Sequence, residues 1–254
     1  MTMSTPDVAA VPGVRPRPRL SFHFGVTLLL AFFVFAGFGM TYWFPMARGT
    51  LRPAPPVVHV HGWVLSAWMI LLVTQSWLVN ARNVALHRSL GMFGIAMATA
   101  VLFMSAIITL LGLKSGISRP VASPDFLDAM YLSFMAILGF GTLFTLAMRH
   151  TRSPEVHRRL ILLAILPLMP PGVNRFYMVP FGLSTIPVWP MYLTLDAIAA
   201  AILLQEWRST GRVGRYSLIG AGWLLAQQLL HMPVAHSSWF SEFCQFVAGL
   251  VRYR

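Results

Sequence analysis

The stretch HVHGWVLSAWMILLVTQSWLVN, residues 59–80, followed by ARNVALHRSLG, residues 81–91, decides the fold of this chain. At ~1.5 Å per residue, a helix through its apolar run is long enough to cross a hydrocarbon core of ~30 Å. His61 and His87 stand at the two ends of that run and are therefore expected at opposite faces of a membrane. These two histidines cannot share one site.

Composition places the whole chain in the membrane class. With 57% hydrophobic and 10% charged residues over 254 positions, the chain has too much apolar surface for one soluble globule. The net charge of +12 comes mainly from arginines clustered between apolar segments, a pattern typical of the positive-inside bias and not of nucleic-acid binding. The single cysteine, Cys244, excludes an internal disulfide and a cysteine-based zinc or iron–sulfur site.

We therefore predict an all-α polytopic membrane helix bundle of about seven transmembrane helices with a cytoplasmic N-terminus. The fifth helix is expected to bend at residues 170–172 and to continue to Arg175. Residues 1–20 are interpreted as a disordered basic cytoplasmic tail, 21–235 as the bundle, and 236–254 as an interfacial amphipathic segment. The predicted spans lie near residues 22–44, 58–79, 89–113, 126–148, 155–175, 189–206 and 216–232.

The histidines sort by face in this topology. His87 and His157 are the best inner candidates, because each begins a helix and is followed directly by arginine. On the helix after His87, Gly91 and Gly94 continue one smooth stripe that a flat cofactor or a neighbouring helix could approach. The inner set is His23, His87, His150 and His157, and the outer set is His59, His61, His231 and His236.

Haem b is the cofactor that this arrangement favours. It needs two neutral imidazoles from different helices of a bundle, with arginine or lysine near the propionates. His87 and His157 meet this requirement at the inner face, with Arg88, Arg158 or Arg159 as propionate partners. His61 and His231 form a second candidate pair at the outer face.

Three other interpretations stay open. Histidines at helix ends are often solvated at the interface or hydrogen-bonded to loop carbonyls. Gly91 and Gly94 could serve helix packing alone. A mononuclear metal centre could use the outer histidines His59, His61, His231 and His236.

Polar residues are also expected inside the membrane. Asp196 lies near the middle of the sixth span, Gln75 in the inner half of the second, and Arg175 on the continuation of the fifth. An unpaired carboxylate at such depth is costly, so we expect Asp196 to be protonated, to pair with Arg175 or to face a water-filled cavity. A proton or substrate route along Asp196 is the functional alternative.

The order of short motifs resembles an uncharacterised bacterial polytopic inner-membrane protein family. The motifs are His-Gly at residues 61–62, His-Arg-Ser-Leu-Gly at 87–91 and Pro-Glu-Val-His-Arg-Arg-Leu at 154–160. The layout of histidines at helix ends is remotely similar to cytochrome oxidase assembly proteins and to b-type transmembrane cytochromes. These resemblances imply a multi-pass protein of the bacterial inner membrane.

Two classes of function follow. The first is haem b electron transfer, with the quinone pool or a redox protein as partner. The second is a non-redox assembly factor or small transporter that depends on Asp196 and Arg175. A hydrolase is disfavoured, because Gly-x-Ser-x-Gly, His-Glu-x-x-His and phosphate-loop motifs are absent from the sequence.

Overall fold

A computed structural model describes residues 20–117 and 124–250 of the chain. The predicted tail falls outside the described residues except for Leu20, and so does the end of the predicted C-terminal segment, 251–254. Within the described ranges every regular element is a helix. The prediction of an all-α bundle with membrane-spanning helices is confirmed at this level.

The chain forms eleven α-helices in the described ranges. A π-helical turn, Gly39–Trp43, joins the first two, and a 3₁₀ turn, Leu166–Leu168, joins the sixth and seventh. The helices are α1 (Phe22–Phe38), α2 (Phe44–Ala47), α3 (Pro56–Asn80), α4 (Val84–Ile117), α5 (Pro124–Arg149), α6 (Pro154–Ile165), α7 (Pro170–Phe181), α8 (Val188–Thr210), α9 (Arg215–Leu229), α10 (His231–Ala235) and α11 (Ser238–Leu250).

Five helical segments are long and apolar enough to cross a membrane, and a bent pair makes a sixth if it counts as one span. The bent pair joins Pro154–Leu168 to Pro170–Phe181 at 52°. The five segments are Phe22–Ala47, Pro56–Asn80, Val84–Gly116, Asp125–Arg149 and Val188–Thr210.

Prolines cause the bend between α6 and α7. Pro167, Pro170 and Pro171 lack the backbone N–H that an α-helix needs for its i−4 hydrogen bonds, so the ladder breaks there. The chain resumes as helix and passes Arg175, which confirms the predicted continuation. The helix ends at Phe181, so residues 176–181 extend it beyond the predicted span, 155–175.

The seventh predicted span is divided in the structure. Helix α9 ends at Leu229 after 15 residues, and the five-residue helix α10 follows. Pro233 cannot donate to the carbonyl of Leu229, which explains why the helix stops there. The described residues thus support five or six spans, and a seventh remains a prediction.

The long helices alternate in direction, which gives the bundle two ends. The His87 end contains the start of α1, the end of α3 and the starts of α4 and α6. There the backbone N–H of Ser21 donates to Oδ1 of Asn80 at 3.0 Å, which joins α1 to α3. The His61 end contains the starts of α3, α5 and α8 together with α10. His61 and His87 lie at opposite ends, as predicted.

A close backbone approach joins α1 to α7. A Cβ atom built on Gly37 would lie 2.2 Å from the carbonyl oxygen of Gly172. Two glycines therefore let the main chains of these helices touch, as small residues do at helix interfaces in membranes. The bent helix pair is held to α1 by this contact.

Replacing Gly37 by alanine should force α1 and α7 apart. We expect Gly37→Ala to lower the free energy of unfolding by about 1–3 kcal/mol, the usual cost of overpacking. Gly25 lies on the same helix with nothing within 4 Å of a built Cβ, so Gly25→Ala is the matched control. Denaturation in mixed micelles measures the free energy of unfolding of both variants. Equal values for the two would contradict a tight contact between Gly37 and Gly172.

Helix α11 packs one face against the bundle. Phe240, Cys244 and Ala248, spaced four residues apart, are buried against a cluster that includes Leu113 and Tyr131. Burial raises the pKa of the Cys244 thiol to about 11, so the thiol is protonated at neutral pH.

A maleimide should therefore label Cys244 slowly in the folded protein. Ala248→Arg should displace α11 and speed labelling at least tenfold, since it places a charge in the packed face. Gly249→Arg, at a position with open space beside it, should leave the rate unchanged. Because Cys244 is the one cysteine of the chain, the mass of the labelled protein reports labelling at this site directly. Rapid labelling of the protein without these substitutions would contradict the packing of α11 against the bundle.

Candidate functional site

The His87 end brings the two predicted inner histidines together. The ring centroids of His87 and His157 lie 6.5 Å apart, with the ring planes at 74°. They come from α4 and α6, and 70 residues separate them in the sequence. Both side chains are partly exposed.

Each histidine sits in the first turns of its helix for a local reason. The side chain of Asn83 accepts the backbone N–H of Leu86 at 3.2 Å, which caps α4 and places His87 just inside it. Pro154 opens α6 at its first position, with Ser153 before it. His157 follows within the first turn.

Hydrogen bonding leaves one nitrogen of the His157 ring available. Nδ1 of His157 lies 2.9 Å from the main-chain carbonyl oxygen of Ala147, and a carbonyl can only accept. In the neutral ring Nδ1 therefore carries the proton and Nε2 keeps its lone pair. Such a bond fixes the orientation of a ligating imidazole.

His87 also has an unpartnered nitrogen. Its Nδ1 is buried without a hydrogen-bond partner, while the ring approaches the main-chain carbonyl of Gln75. The Gln75 side-chain oxygen is likewise buried without a partner. Gln75 thus contributes its backbone to the His87 end.

The predicted arginines have different surroundings. Arg159 is buried and donates to Glu206 of α8 at 3.0 Å and to Glu155 at 3.1 Å. Arg158 pairs with Glu155 and remains 39% exposed. Arg88 is exposed on α4. Arg88 is therefore the freest of the predicted propionate partners.

The other two histidines of the predicted inner set are placed differently. His150 is bonded to the Leu146 carbonyl at 2.8 Å, and its ring lies 4.1 Å from that of Tyr216. His23 of α1 lies near Arg158 and Arg159, with its Nε2 buried and unpartnered. All four predicted inner histidines occur at the His87 end.

Open space lies beside His87 on α4. A Cβ atom built on Gly91 or on Gly94 would meet nothing within 4 Å. Within the described part of the chain, no neighbouring helix packs against Gly91 or Gly94, so these glycines do not serve a helix contact there. The surface next to His87 is smooth and accessible.

His61 and His231 are not brought together. The ring of His61 approaches the Met104 carbonyl and lies near Arg175. Arg175 donates to the carbonyl of Pro171 at 2.9 Å and lies over the ring of Phe38 at 4.6 Å. The proposed outer haem pair thus has its members in separate surroundings.

His231 belongs to a buried polar network instead. Its side chain is 0% exposed; Nε2 lies 3.2 Å from Oδ1 of Asp128, and Nδ1 lies 2.7 Å from the Tyr192 hydroxyl. His236 places Nε2 2.8 Å from the same Asp128 oxygen. Tyr131 stacks on the His231 ring at 4.9 Å. Both nitrogens of His231 therefore face polar groups of the protein.

The expected pair of Asp196 and Arg175 does not form. Asp196 accepts a hydrogen bond from Nε2 of Gln228 at 2.8 Å, while Arg175 bonds to its own helix. The bend at residues 166–170 carries Arg175 toward α1 and α3, away from Asp196. An amide donor on α9 satisfies the carboxylate instead.

The histidines proposed for a metal centre are also divided. His59 Nδ1 lies 2.8 Å from the Tyr42 hydroxyl, and His236 lies beside Asp128. Over residues 20–117 and 124–250, no group of three or more histidine, cysteine or acidic side chains is arranged to hold a metal ion.

The sequence does not predict two important contacts of the structure. Nothing in the spacing of Arg159 and Glu206 indicates that they form a buried pair. Asp128 lies near the start of α5 and is buried beside His231 and His236. Its place at the same end as His231 and His236 is the signal that could have identified this cluster.

No family model, curated protein or solved structure matches the chain.

The buried pair of Arg159 and Glu206 should be more important for stability than the exposed contact with Glu155. Glu206→Ala leaves a buried guanidinium without its main partner, and we expect a loss of about 3–5 kcal/mol. Glu155→Ala removes a carboxylate that is 55% exposed and should cost less than about 1 kcal/mol. Unfolding in mixed micelles compares the two; similar losses would contradict the assignment.

Proposed function

We propose that this chain is a multi-pass protein of the bacterial inner membrane that binds haem b between His87 and His157 and transfers electrons. The observation that carries the proposal is the contact of these two rings at 6.5 Å. Each belongs to a different helix, and each was singled out by its position before an arginine.

The distance fits ligation of one iron by both rings. Imidazole nitrogens bind metal ions at about 2.0–2.1 Å, so two rings with centroids 6.5 Å apart are close enough that both would hold one iron. His157 keeps Nε2 available, and His87 has a buried nitrogen without a partner. The open surface at Gly91 and Gly94 leaves room for a flat group beside His87.

Charge at the same end supports haem rather than a bare metal ion. Arg88 follows His87, is exposed and is available for a propionate. Arg158 could reach a second propionate only by giving up part of its contact with Glu155. Arg159 stays with Glu206 and holds α6 in position.

When bound, haem b would supply a one-electron redox couple, and the protein would tune it through the two imidazoles and their hydrogen bonds. The Ala147 carbonyl holds the His157 ring in one tautomer. Partial exposure of both rings gives a quinone or a redox protein access to this end. We propose such a molecule as the electron partner.

The transport or assembly alternative depends on Asp196 and Arg175, with a proton or substrate route along Asp196. In the structure these two residues have separate partners, Gln228 and the Pro171 carbonyl. Asp196→Asn tests this alternative: it should abolish transport or assembly activity while the protein remains folded.

Haem binding is tested by the reduced-minus-oxidised spectrum of the protein purified in mild detergent, with a haemochrome assay for stoichiometry. We expect a sharp reduced α band and about one haem per chain. His87→Ala and His157→Ala should each abolish the band. His150→Ala should retain it, because the His150 ring is bonded to Leu146 and packed on Tyr216.

A featureless spectrum from protein made with ample haem supply contradicts the proposal. So does a band that survives in both His87→Ala and His157→Ala. Melting curves of the variants separate loss of the cofactor from loss of the fold.

A further inference from the structure

A polar network around Asp128 lies at the His61 end, and the proposed haem site does not use it. One carboxylate oxygen of Asp128 faces two imidazoles, His231 at 3.2 Å and His236 at 2.8 Å. The second nitrogen of His231 faces the Tyr192 hydroxyl at 2.7 Å. These contacts join α5, α8 and α10.

Exposure changes along the network. His236 is 43% exposed, the Asp128 side chain is 8% exposed, and His231 is fully buried. Tyr192, the last member, lies one turn inside α8 and is also buried. The contacts therefore lead from the surface into the bundle without a gap longer than 3.2 Å.

Only two proton arrangements satisfy the buried ring in its neutral form. In the first, the Tyr192 O–H donates to Nδ1 of His231 and Nε2–H points at the ionised Asp128. In the second, Nδ1–H donates to the Tyr192 oxygen and a protonated Asp128 donates to Nε2. The arrangements differ by one proton on Asp128 and by the tautomer of His231.

In the second arrangement Nε2 of His231 keeps its lone pair toward Asp128 at 3.2 Å, so it can take a proton from the carboxyl group. His236 can accept a proton on its outer nitrogen and release another from Nε2 to Asp128. Each transfer breaks one N–H or O–H bond and forms another on the neighbouring atom.

We propose that His236, Asp128 and His231 form a proton-transfer route from the surface of the His61 end to Tyr192. The proton passes from Nε2 of His236 to Asp128. When His231 carries its own proton on Nδ1, the proton then passes from Asp128 to Nε2 of His231, which leaves Asp128 ionised and His231 an imidazolium whose Nδ1–H faces the Tyr192 oxygen.

The other titratable groups around the route have defined places. Tyr131 stacks on His231 but donates its hydroxyl to the carbonyl of Gln227 at 2.7 Å, so it stands outside the route. Asp196 lies one turn beyond Tyr192 on the same face of α8 and is the next acidic group inward. Cys244 of α11 is buried in the neighbouring apolar cluster.

Exchange of the His231 ring proton with water tests this route without knowledge of the activity. Protein carrying ¹⁵N-histidine in phosphatidylcholine bilayers is followed by solid-state NMR, with His231→Gln to assign the signal. A fully buried imidazole without a route exchanges only when the structure opens, and its exchange rate then does not depend on His236. With the route, we expect the exchange at His231 to depend on His236.

His236→Gln is the critical variant. A glutamine amide can still bond to Asp128 but cannot relay a proton, so exchange at His231 should slow at least tenfold. His59→Gln is the matched control, because His59 is also bonded to a tyrosine hydroxyl at this end but lies apart from the route. It should leave the rate unchanged.

An exchange rate at His231 that is unchanged in His236→Gln would overturn the route. If His236→Gln fails to fold, Asp128→Asn serves instead, since it preserves the shape and removes the proton acceptor. Loss of haem binding in the spectral experiment leaves this result unaffected, so the two proposals fail separately.

Discussion

The buried ion pair between Arg159 and Glu206 is the interaction on which the proposed site depends. A guanidinium 4% exposed and a carboxylate 6% exposed meet at 3.0 Å, in a bundle where an unpaired charge would be very costly. The pair ties α6 to α8 and fixes the rotation of α6 about its axis. With Arg159 directed at α8, His157 is presented toward α4 and His87.

The prolines after α6 set the second constraint. They end the hydrogen-bond ladder and turn α7 by 52°, and the glycine contact of Gly37 and Gly172 then holds α7 on α1. Arg175 consequently lies against Phe38 and near His61. The same bend that positions one end of the bundle therefore separates Arg175 from Asp196.

The sequence is sufficient to predict the features that depend on the length of an apolar run and on the end of the bundle at which a residue lies. Apolar runs predict the spanning helices, and alternation of direction sorts His87 and His157 to one end and His61 to the other. Contacts that depend on the rotation of a helix cannot be predicted from apolar runs. The sequence does not indicate the pair of Arg159 and Glu206. It predicts Arg175 as the partner of Asp196, whereas the structure shows Gln228. The direction of a proline bend and the rotation of each helix arise from tertiary packing, which spacing alone does not encode.

Low-temperature electron paramagnetic resonance of the oxidised protein tests the central claim most directly. Ligation by two imidazoles gives a low-spin ferric signal, and ring planes near the 74° of His87 and His157 predict its strongly anisotropic form. A high-spin signal, or protein that takes up no haem, would contradict the assignment of these two histidines as a ligand pair.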